Sequence, residues 1–223
     1  MLNRRVAVFL VAACLGGTTA ACAAITTFLD GALGDTNWTT TVDTGTASYT
    51  VGQQATGGNP GSFRQFESTP MLLGIPTFLH ALHESTPGAY DPAAGAITAI
   101  DLHADLISIG GGTAQYDLVV FQGGEWYQPA NTFPTPLANP FIAQQPVWTT
   151  AANACLTAAD FIRRGNQVGH PDFSTTGSPL TFGYMTYSSL SPTFSGTTGL
   201  DNFGVTLYSG SDVCVSKACF INA

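Results

Sequence analysis

Two short segments near the ends of the chain constrain its fold most strongly. Segment 199–207 contains an Asp-Asn pair followed by apolar residues at every second position, Phe203, Val205 and Leu207. A matching segment, 25–31, follows a predicted export signal. Because period-two alternation is the pattern of a half-buried strand, both segments are predicted to be strands. Such strands at both ends favour a sandwich whose first and last strands lie side by side.

Turn residues punctuate the chain at short intervals between these segments. Gly-Gly, Asp-Pro and Pro-Gly pairs separate runs rich in β-branched and aromatic residues, which is the spacing of antiparallel β-structure. We therefore predict an all-β, antiparallel two-sheet sandwich. One short helix is predicted at 156–164, with Thr157 as its N-cap, Asp160 three residues later and Gly165 at its end. The predicted strands are 25–29, 37–43, 46–54, 62–68, 76–84, 96–109, 115–122, 125–128, 145–150, 180–187 and 203–208.

The start of the chain has the pattern of an export signal. In segment 1–24, two arginines precede an apolar run that is too short to span a bilayer, and small residues follow, with cleavage predicted near Ala23. An alternative interpretation takes 19–22 as a lipobox, in which Cys22 would carry a lipid anchor. We expect a secreted or cell-surface protein without a transmembrane segment.

The charge composition excludes several kinds of partner. The chain has 14 acidic residues but only 6 basic ones, for a formal net charge of −8. Such a chain is not expected to bind nucleic acid or an anionic membrane surface. Only 9% of the residues are charged, and the abundance of serine, threonine, asparagine and glutamine predicts a hydroxyl-rich surface that suits an extracellular protein.

Three cysteines follow the predicted signal. An exported chain permits disulfides, and the four residues between Cys214 and Cys219 suffice for a small hairpin loop, so these two are the predicted pair. Free or metal-binding thiols are the alternative. Cys155 is then left over and is expected to be buried as a small apolar residue. The predicted regions are the signal at 1–24, the sandwich domain at 25–208 and a C-terminal tail at 209–223.

A family resemblance is carried by stretches spread over most of the mature chain: 28–31, 37–39, 57–65, 90–92, 95–97, 156–161, 171–174, 180–184 and 199–203. In these stretches the chain resembles secreted bacterial proteins of the concanavalin A-like or jelly-roll type, many of which are uncharacterised. The resemblance implies a β-sandwich and, by analogy with carbohydrate-binding modules of similar shape, glycan binding. Many such proteins carry a C-terminal sorting tail. Its Pro-Glu-Pro motif, apolar helix and basic end do not follow Leu207, so anchoring by that route is not expected.

Aromatic side chains are the first candidates for ligand binding. A sugar ring has an apolar face that stacks on Trp or Tyr, while neighbouring polar side chains bind its hydroxyl groups. Trp126 and Tyr127 follow a Gly-Gly turn and are expected on opposite faces of one strand, and Trp148 follows a proline-rich loop. Packing between the sheets is the alternative for each of them, and it is the expected role of Trp38.

A row of polar residues on the predicted strand 96–109 is the second candidate. Asp101, His103 and Asp105 alternate with apolar residues, so they share one face at a spacing of about 7 Å. They could bind a sugar or a cation, or act as acid and base, and the alternative is a solvated outer face. The Glu-x-Asp-x-x-Glu run of sandwich-type glycosidases is absent, so no catalytic residue is assigned.

Two carboxylates at the chain ends form a possible metal site. If the terminal strands pair, Asp30 and Asp201 lie near each other and could share a Ca²⁺ ion, since this ion prefers oxygen ligands. Jelly-roll carbohydrate modules often carry a structural calcium at such a place. The alternative is that each carboxylate caps its own turn.

Three further polar residues are expected to be structural. Arg64 lies between Phe63 and Phe66, so it is predicted to pair with a carboxylate inside the sandwich or at its edge. His80 and His83 are three residues apart on a predicted strand and therefore face opposite sides. That arrangement does not suit a shared metal ion.

The hypothesis favoured by these patterns is an exported, non-catalytic β-sandwich that binds a glycan or another surface polymer. A glycan-active hydrolase or lyase built on Asp101, His103 and Asp105 is the first alternative, and a structural envelope or matrix protein is the second. An outward-facing Trp126 or Trp148 would favour binding. A second carboxylate that meets the Asp101 group in a cleft would favour catalysis.

Overall fold

The computed structural model consists almost wholly of antiparallel strands. It describes residues 9–12, 24–45, 47–70, 77–110, 114–130, 141–143, 147–165, 168–190 and 196–210. This part of the chain has no α-helix, and therefore no helix that could span a membrane. Single 3-10 turns lie at Asp35–Asn37, Pro92–Ala94 and Ala158–Asp160. The strands are β1 (Phe9–Ala12), β2 (Ala24–Asp30), β3 (Trp38–Gly45), β4 (Ala47–Gly58), β5 (Gly61–Pro70), β6 (Thr77–Tyr90), β7 (Ile97–Gly110), β8 (Ala114–Gln122), β9 (Glu125–Pro129), β10 (Phe141–Ile142), β11 (Thr149–Leu156), β12 (Phe161–Arg163), β13 (Leu180–Leu190) and β14 (Gly196–Ser209).

The strands form two sheets that enclose one main core. In the first sheet, one edge of β14 pairs with β7, and β11 pairs with the far side of β7. The other edge of β14 pairs with β5 over its first half and with β2 over its second half. β4 pairs with β5, and β1 pairs with β2. The second sheet has the order β12, β9, β8, β13, β6, β3, with β10 also paired to β8. Eight central strands can be counted from one to eight along the chain: β2, β6, β7, β8, β9, β11, β13 and β14. Strands one, eight, three and six of this count (β2, β14, β7 and β11) lie side by side in the first sheet. Strands two, seven, four and five (β6, β13, β8 and β9) lie side by side in the second sheet, and this is the strand order of a jelly roll.

The predicted pairing of the terminal strands is confirmed. β14 runs antiparallel to β2, with Phe203 opposite Asp30 and Ser209 opposite Ala24. Alternation on β7 also follows the prediction, because Leu102 and Leu106 are buried in the core between the sheets. The polar residues between them therefore lie on the outer face of the first sheet.

A partly buried polar cluster joins the β4–β5 hairpin to the centre of the first sheet. Asp201 on β14 is fully buried and lies opposite Asp105 on β7. Asn59, in the turn of the hairpin, donates its backbone N–H to Asp201 and its side-chain amide to Asp105. Asn202 donates its backbone N–H to Asp201 Oδ1 at 2.7 Å and its amide to Asp105 Oδ2 at 2.8 Å. We call these four residues the Asp201 clasp.

Arg64 confirms the prediction of a paired, buried cation. Its side chain is 3% exposed and donates to Asp35 Oδ1 at 3.1 Å. The same oxygen accepts the backbone N–H of Gln53 on β4 at 2.9 Å. Asp35 therefore serves both the buried guanidinium and the outer edge of β4.

The two histidines of β6 face opposite sides, as predicted. His83 is fully buried, stacks on Tyr184 with ring centroids 4.3 Å apart, and shares a hydrogen bond of 3.0 Å with Thr40. Burial lowers the pKa of His83 well below its ordinary value, and the nearby Arg64 charge lowers it further. His80 lies on the outer side, where its ring contacts Tyr187.

The predicted helix at 156–164 is present only as the 3-10 turn Ala158–Asp160. Its start follows the prediction, because the Asp160 carboxylate accepts the backbone N–H and the hydroxyl of Thr157, both at 2.8 Å. The chain then becomes β12, since Phe161 is fully buried and packs edge-on against Phe173. Burial of this aromatic ring outweighs the local helical pattern.

Cys155 differs from its expected role as an unpaired residue. It is buried as predicted, but it is disulfide-bonded. Sequence spacing does not show which cysteines the fold brings together. The predicted Cys214–Cys219 pair and the possible lipid anchor at Cys22 lie outside the described residues and stay predictions.

We expect Asp201→Ala to lower the free energy of unfolding by about 1–3 kcal/mol, because the part-buried backbone N–H groups of Asn59 and Asn202 lose their acceptor. Urea denaturation measures the change. The control is Glu125→Ala, which removes an exposed ion pair with Arg163 and should cost less than about 1 kcal/mol. Equal losses in the two variants would contradict the structural role of the clasp.

The stability of the wild-type protein should carry a contribution from His83 that is lost as the pH falls. The folded pKa of His83 lies below its ordinary value of 6.5, so below about pH 6.5 the unfolded chain binds the proton more readily. Burial raises the pKa of Asp117 to about 6, so Asp117 contributes stability that increases as the pH falls. The comparison of the wild type with a His83→Asn variant cancels this contribution, because both proteins contain Asp117. Between pH 7.5 and 5.5, His83→Asn should lose less unfolding free energy than the wild type. Equal pH dependence would refute this.

Candidate functional site

The six residues predicted to bind a ligand are divided between the two outer faces of the sandwich. Asp101, His103 and Asp105 lie on the outer face of the first sheet, and Trp148 precedes β11 at one end of the same face. Trp126 lies on the outer face of the second sheet, whereas Tyr127 packs partly buried against the core. The Asp101 face is defined by Asn59, Phe63, Asp101, His103, Asp105, Trp148, Thr150 and Tyr208. The Trp126 face is defined by His80, Phe121, Trp126, Gln128, Arg164 and Tyr187.

One end of the Asp101 face is organised by Asp101. Its carboxylate accepts the Tyr208 hydroxyl at 2.7 Å and the backbone N–H of Cys155 at 2.6 Å. Burial raises the pKa of Tyr208 to about 12, and the hydrogen bond to Asp101 acts in the same direction. The tyrosine is therefore uncharged at neutral pH, and its hydroxyl is held by Asp101.

His103 lies in the middle of the Asp101 face, and its ring occupies the space above a glycine of the neighbouring strand. Gly204 on the neighbouring strand leaves room for the imidazole, because a Cβ atom at that position would collide with the ring. Burial lowers the pKa of His103, against the opposing effect of the Asp105 and Asp101 carboxylates. The ring nitrogens form no hydrogen bond to the described residues. A neutral imidazole in this position can both donate to and accept from a ligand hydroxyl.

Trp148 forms the other end of the face. Its indole N–H donates to the Gly57 carbonyl at 3.3 Å, and its ring meets Phe63 edge-on with centroids 5.6 Å apart. Phe63 in turn lies over Gly199, where a side chain would collide with its ring. The half-buried Trp148 is thus fixed by aromatic packing and leaves part of its ring accessible.

Asp105 lies between His103 and Trp148. It accepts the Thr150 hydroxyl at 2.6 Å in addition to the two amides of the clasp. The strand rise places Asp101 and Asp105 about 13 Å apart, which is long enough for a chain of sugar units and too long for one small ligand. The face therefore has the dimensions of a strip and not of a pocket.

A small cavity between the sheets is too small to bind a sugar. It is lined by Phe28, Pro87, Phe182 and Val205, and its volume is about 10 Å³. That volume suits about one water molecule and no sugar ring.

Asp105 and Asp201 lie opposite each other on neighbouring strands, but they do not form a glycosidase site. Hydrolysis needs two carboxyl groups that flank a substrate bond. Asp201 is fully buried beneath the hairpin turn, and its two oxygens accept the backbone N–H groups of Asn59 and Asn202. A substrate therefore has no access to the second carboxylate.

The predicted calcium ligands are also engaged with N–H donors. One oxygen of Asp30 accepts the N–H groups of Ala32 and Leu33 at 3.1 and 2.7 Å, and the other accepts the buried Trp38 indole at 2.9 Å. Donors that point at both oxygens do not fit an ion shared with Asp201. The described residues also hold no cluster of three or more His, Cys, Asp or Glu that could bind a metal. Calcium binding stays a prediction.

The Trp126 face carries a second connected set of polar groups. The Tyr187 hydroxyl donates to Asp117 at 2.7 Å, and Arg164 donates to Tyr187 at 3.0 Å. Burial raises the pKa of Asp117 to about 6, while its hydrogen bond from Tyr187 and the Arg164 charge act against this rise. Sequence reasoning missed this group because its members come from β6, β8, β9, β13 and the turn after β12.

Residues that sequence reasoning missed on the Asp101 face have weak local signals. Asn59 was visible only as part of a predicted turn, and Tyr208 only as the end of a predicted strand. The contact of Phe63 with Trp148 has no local signal, because it depends on strand pairing. The face is assembled by strands that are distant in the sequence.

Comparison with known proteins gives matches among solved structures only. No family model matches the chain, and no curated protein matches it in sequence. An exo-β-agarase structure is 12% identical with a TM-score of 0.41; the match covers 76% of this chain and 23% of the agarase. The mannan-recognising carbohydrate-binding module TmCBM27 is 11% identical with a TM-score of 0.35, covering 78% of this chain and 89% of the module. A third match is the structure of the CBM22-1–GH10 modules of Clostridium thermocellum endo-1,4-β-D-xylanase 10B complexed with xylohexaose. It is 12% identical with a TM-score of 0.39, and the match covers 82% of this chain and 28% of the xylanase chain. The jelly-roll fold is shown by the strand order of the two sheets.

Proposed function

We propose that this protein is an exported, non-catalytic β-sandwich that binds a neutral glycan, or a similar hydroxyl-rich surface polymer, along the Asp101 face. The observation that carries the proposal is the placement of four predicted residues on one strip. Asp101, His103 and Asp105 provide polar groups along it, and Trp148 provides an aromatic surface at its end. This is the combination that a sugar chain requires.

The polar groups of the strip are held in place before a ligand arrives. Asp101 is fixed by Tyr208, and Asp105 by Thr150 and the clasp amides. Groups that are already ordered lose little conformational entropy on binding. The ring nitrogens of His103, at the centre of the strip, have no partner in the part of the chain that the structure describes, so His103 is the residue best placed to contact a ligand hydroxyl.

Charge supports a neutral ligand. The Asp101 face contains two carboxylates, with no lysine or arginine among its defining residues, and the whole chain has a formal net charge of −8. A polyanion would be repelled along the strip. Export is supported by the signal pattern of segment 1–24, whose cleavage would also remove the edge strand β1. The absence of turnover is supported by the burial of Asp201.

We expect Trp148→Ala to weaken binding to a soluble neutral polysaccharide about tenfold or more, because stacking on the indole ring is lost. His103→Ala should weaken binding several-fold. Affinity electrophoresis in xylan, galactomannan and agarose-derived oligosaccharides measures both variants, with thermal melting as a check of folding. The control is Glu125→Ala, which removes the exposed ion pair with Arg163. This variant should bind glycan on the Asp101 face as the wild type does.

Two results would overturn the proposal. One is wild-type protein that binds none of these glycans, and the other is unchanged affinity in both the Trp148 and His103 variants. Analysis of the glycan after incubation tests the non-catalytic part separately, since release of new reducing or unsaturated ends would show turnover.

A further inference from the structure

We propose that the Trp126 face is a second glycan-binding site, so that one molecule holds two polymer chains on opposite sides of the sandwich. The proposal rests on the proposed function for the class of ligand, a neutral polysaccharide. It does not depend on the Asp101 face for its geometry, because the two faces share no residue.

The aromatic surface of this site is Trp126. Its half-buried ring packs against Phe121, with centroids 5.0 Å apart and planes inclined by 43°. Beneath it lie Leu82, Val119 and Met185, which form a buried apolar cluster on the outer side of the second sheet. This floor fixes the indole ring in position and leaves part of it at the surface.

The polar groups beside Trp126 are ordered by one another. Arg164 donates to the Tyr187 hydroxyl at 3.0 Å, lies 5.3 Å from the centre of the Tyr187 ring, and contacts His80 Nδ1 at 2.7 Å. The backbone N–H of Arg164 donates to the carbonyl of Trp126 at 2.8 Å. The turn after β12 therefore connects the aromatic surface directly to the polar network.

Several hydrogen-bonding groups of this network are unused. The Trp126 indole N–H and the side-chain amide nitrogen of Gln128 have no partner among the described residues. At the base of the network, Asp117 is only 2% exposed, yet its Oδ1 has no hydrogen-bond partner there. Buried polar atoms are nearly always paired in native proteins. Unused donors beside an aromatic ring, above an unpaired acceptor, point to a site for a hydroxyl-bearing ligand.

The charges on this face favour a neutral ligand. The positive charge of Arg164 acts on the Asp117 carboxylate and opposes the rise of its pKa. Glu84, on the same side of β6, accepts the Thr181 hydroxyl. Charges of both signs are thus interspersed, and the face has no excess of basic groups that would select a polyanion.

The architecture separates the two sites. Sheets of a sandwich pack about 10 Å apart, and the Asp101 and Trp126 faces point away from each other on different sheets. A single extended polymer chain cannot lie along both faces at once. Occupation of both sites therefore connects two chains, or two distant segments of one long chain.

The test combines stoichiometry with bridging. Calorimetric titrations with xylohexaose and mannohexaose count binding sites, and turbidity with soluble xylan and galactomannan detects cross-linking. The proteins are the wild type, Trp126→Ala, Trp126→Phe and Trp148→Ala, with Gln128→Ala as a variant that leaves the apolar floor intact. We expect two sites and turbidity in the wild type, one site and no turbidity in Trp126→Ala, and intermediate affinity in Trp126→Phe. Gln128→Ala should weaken the second site about threefold to tenfold at an unchanged melting temperature.

The outcomes separate this inference from the proposed function. One site in Trp148→Ala and one in Trp126→Ala supports both. Wild-type stoichiometry and affinity in both Trp126→Ala and Gln128→Ala overturns the second site, whatever Trp148→Ala does. Loss of binding in Trp126→Ala with no effect of Trp148→Ala supports a site on the Trp126 face and overturns both the proposed function and the bridging of two chains. A wild type that binds no probe overturns both.

Discussion

The hydrogen bonds around Asp201 determine how the first sheet is joined together. β14 is the central strand of that sheet, and at Asp201 and Asn202 it exchanges its neighbour β5 for β2. The exchange requires a bulge, and Asn202 adopts a left-handed conformation with a φ of 48° to provide it. A buried carboxylate at this point collects the backbone donors that the bulge leaves unpaired. The hairpin turn packs so closely on it that a Cβ atom at Gly58 would collide with Asp201.

The two outer faces use their polar groups differently. On the Asp101 face the carboxylates hold strands together, whereas the ring nitrogens of His103 have no hydrogen-bond partner among the described residues. On the Trp126 face most groups of the network bind one another, and among the described residues the Trp126 indole N–H and the Gln128 amide nitrogen have no partner. Both arrangements place an aromatic ring next to ordered polar groups, but only the first is tied to the folding of the sheet.

Much of the fold could be predicted from the chain, because alternation and turn residues are local signals. The run 96–109 shows this well, since its alternating residues Ile100, Leu102, Ala104 and Leu106 all lie in the core. The site was less predictable. The pairing of Arg64 with a carboxylate followed from its apolar neighbours, whereas Asp35 as its partner depends on a turn that packs across β4 and β5. Tyr187 and Arg164 meet only because β13 and the turn after β12 converge on one face. Cys155 shows the same limit, since pairing of cysteines is set by the fold and not by spacing.

The contact between Asp35 and the backbone of Gln53 has a consequence for solubility. β4 is an edge strand of 12 residues, and its sequence contains neither a charged residue nor a proline. Long uncharged edges of this kind offer free backbone groups to strands of other molecules and promote aggregation. Asp35 places a carboxylate on this edge and occupies one of its N–H groups. The residue that neutralises the buried Arg64 thus also acts as a gatekeeper, which discourages the sandwich from growing by addition of further strands.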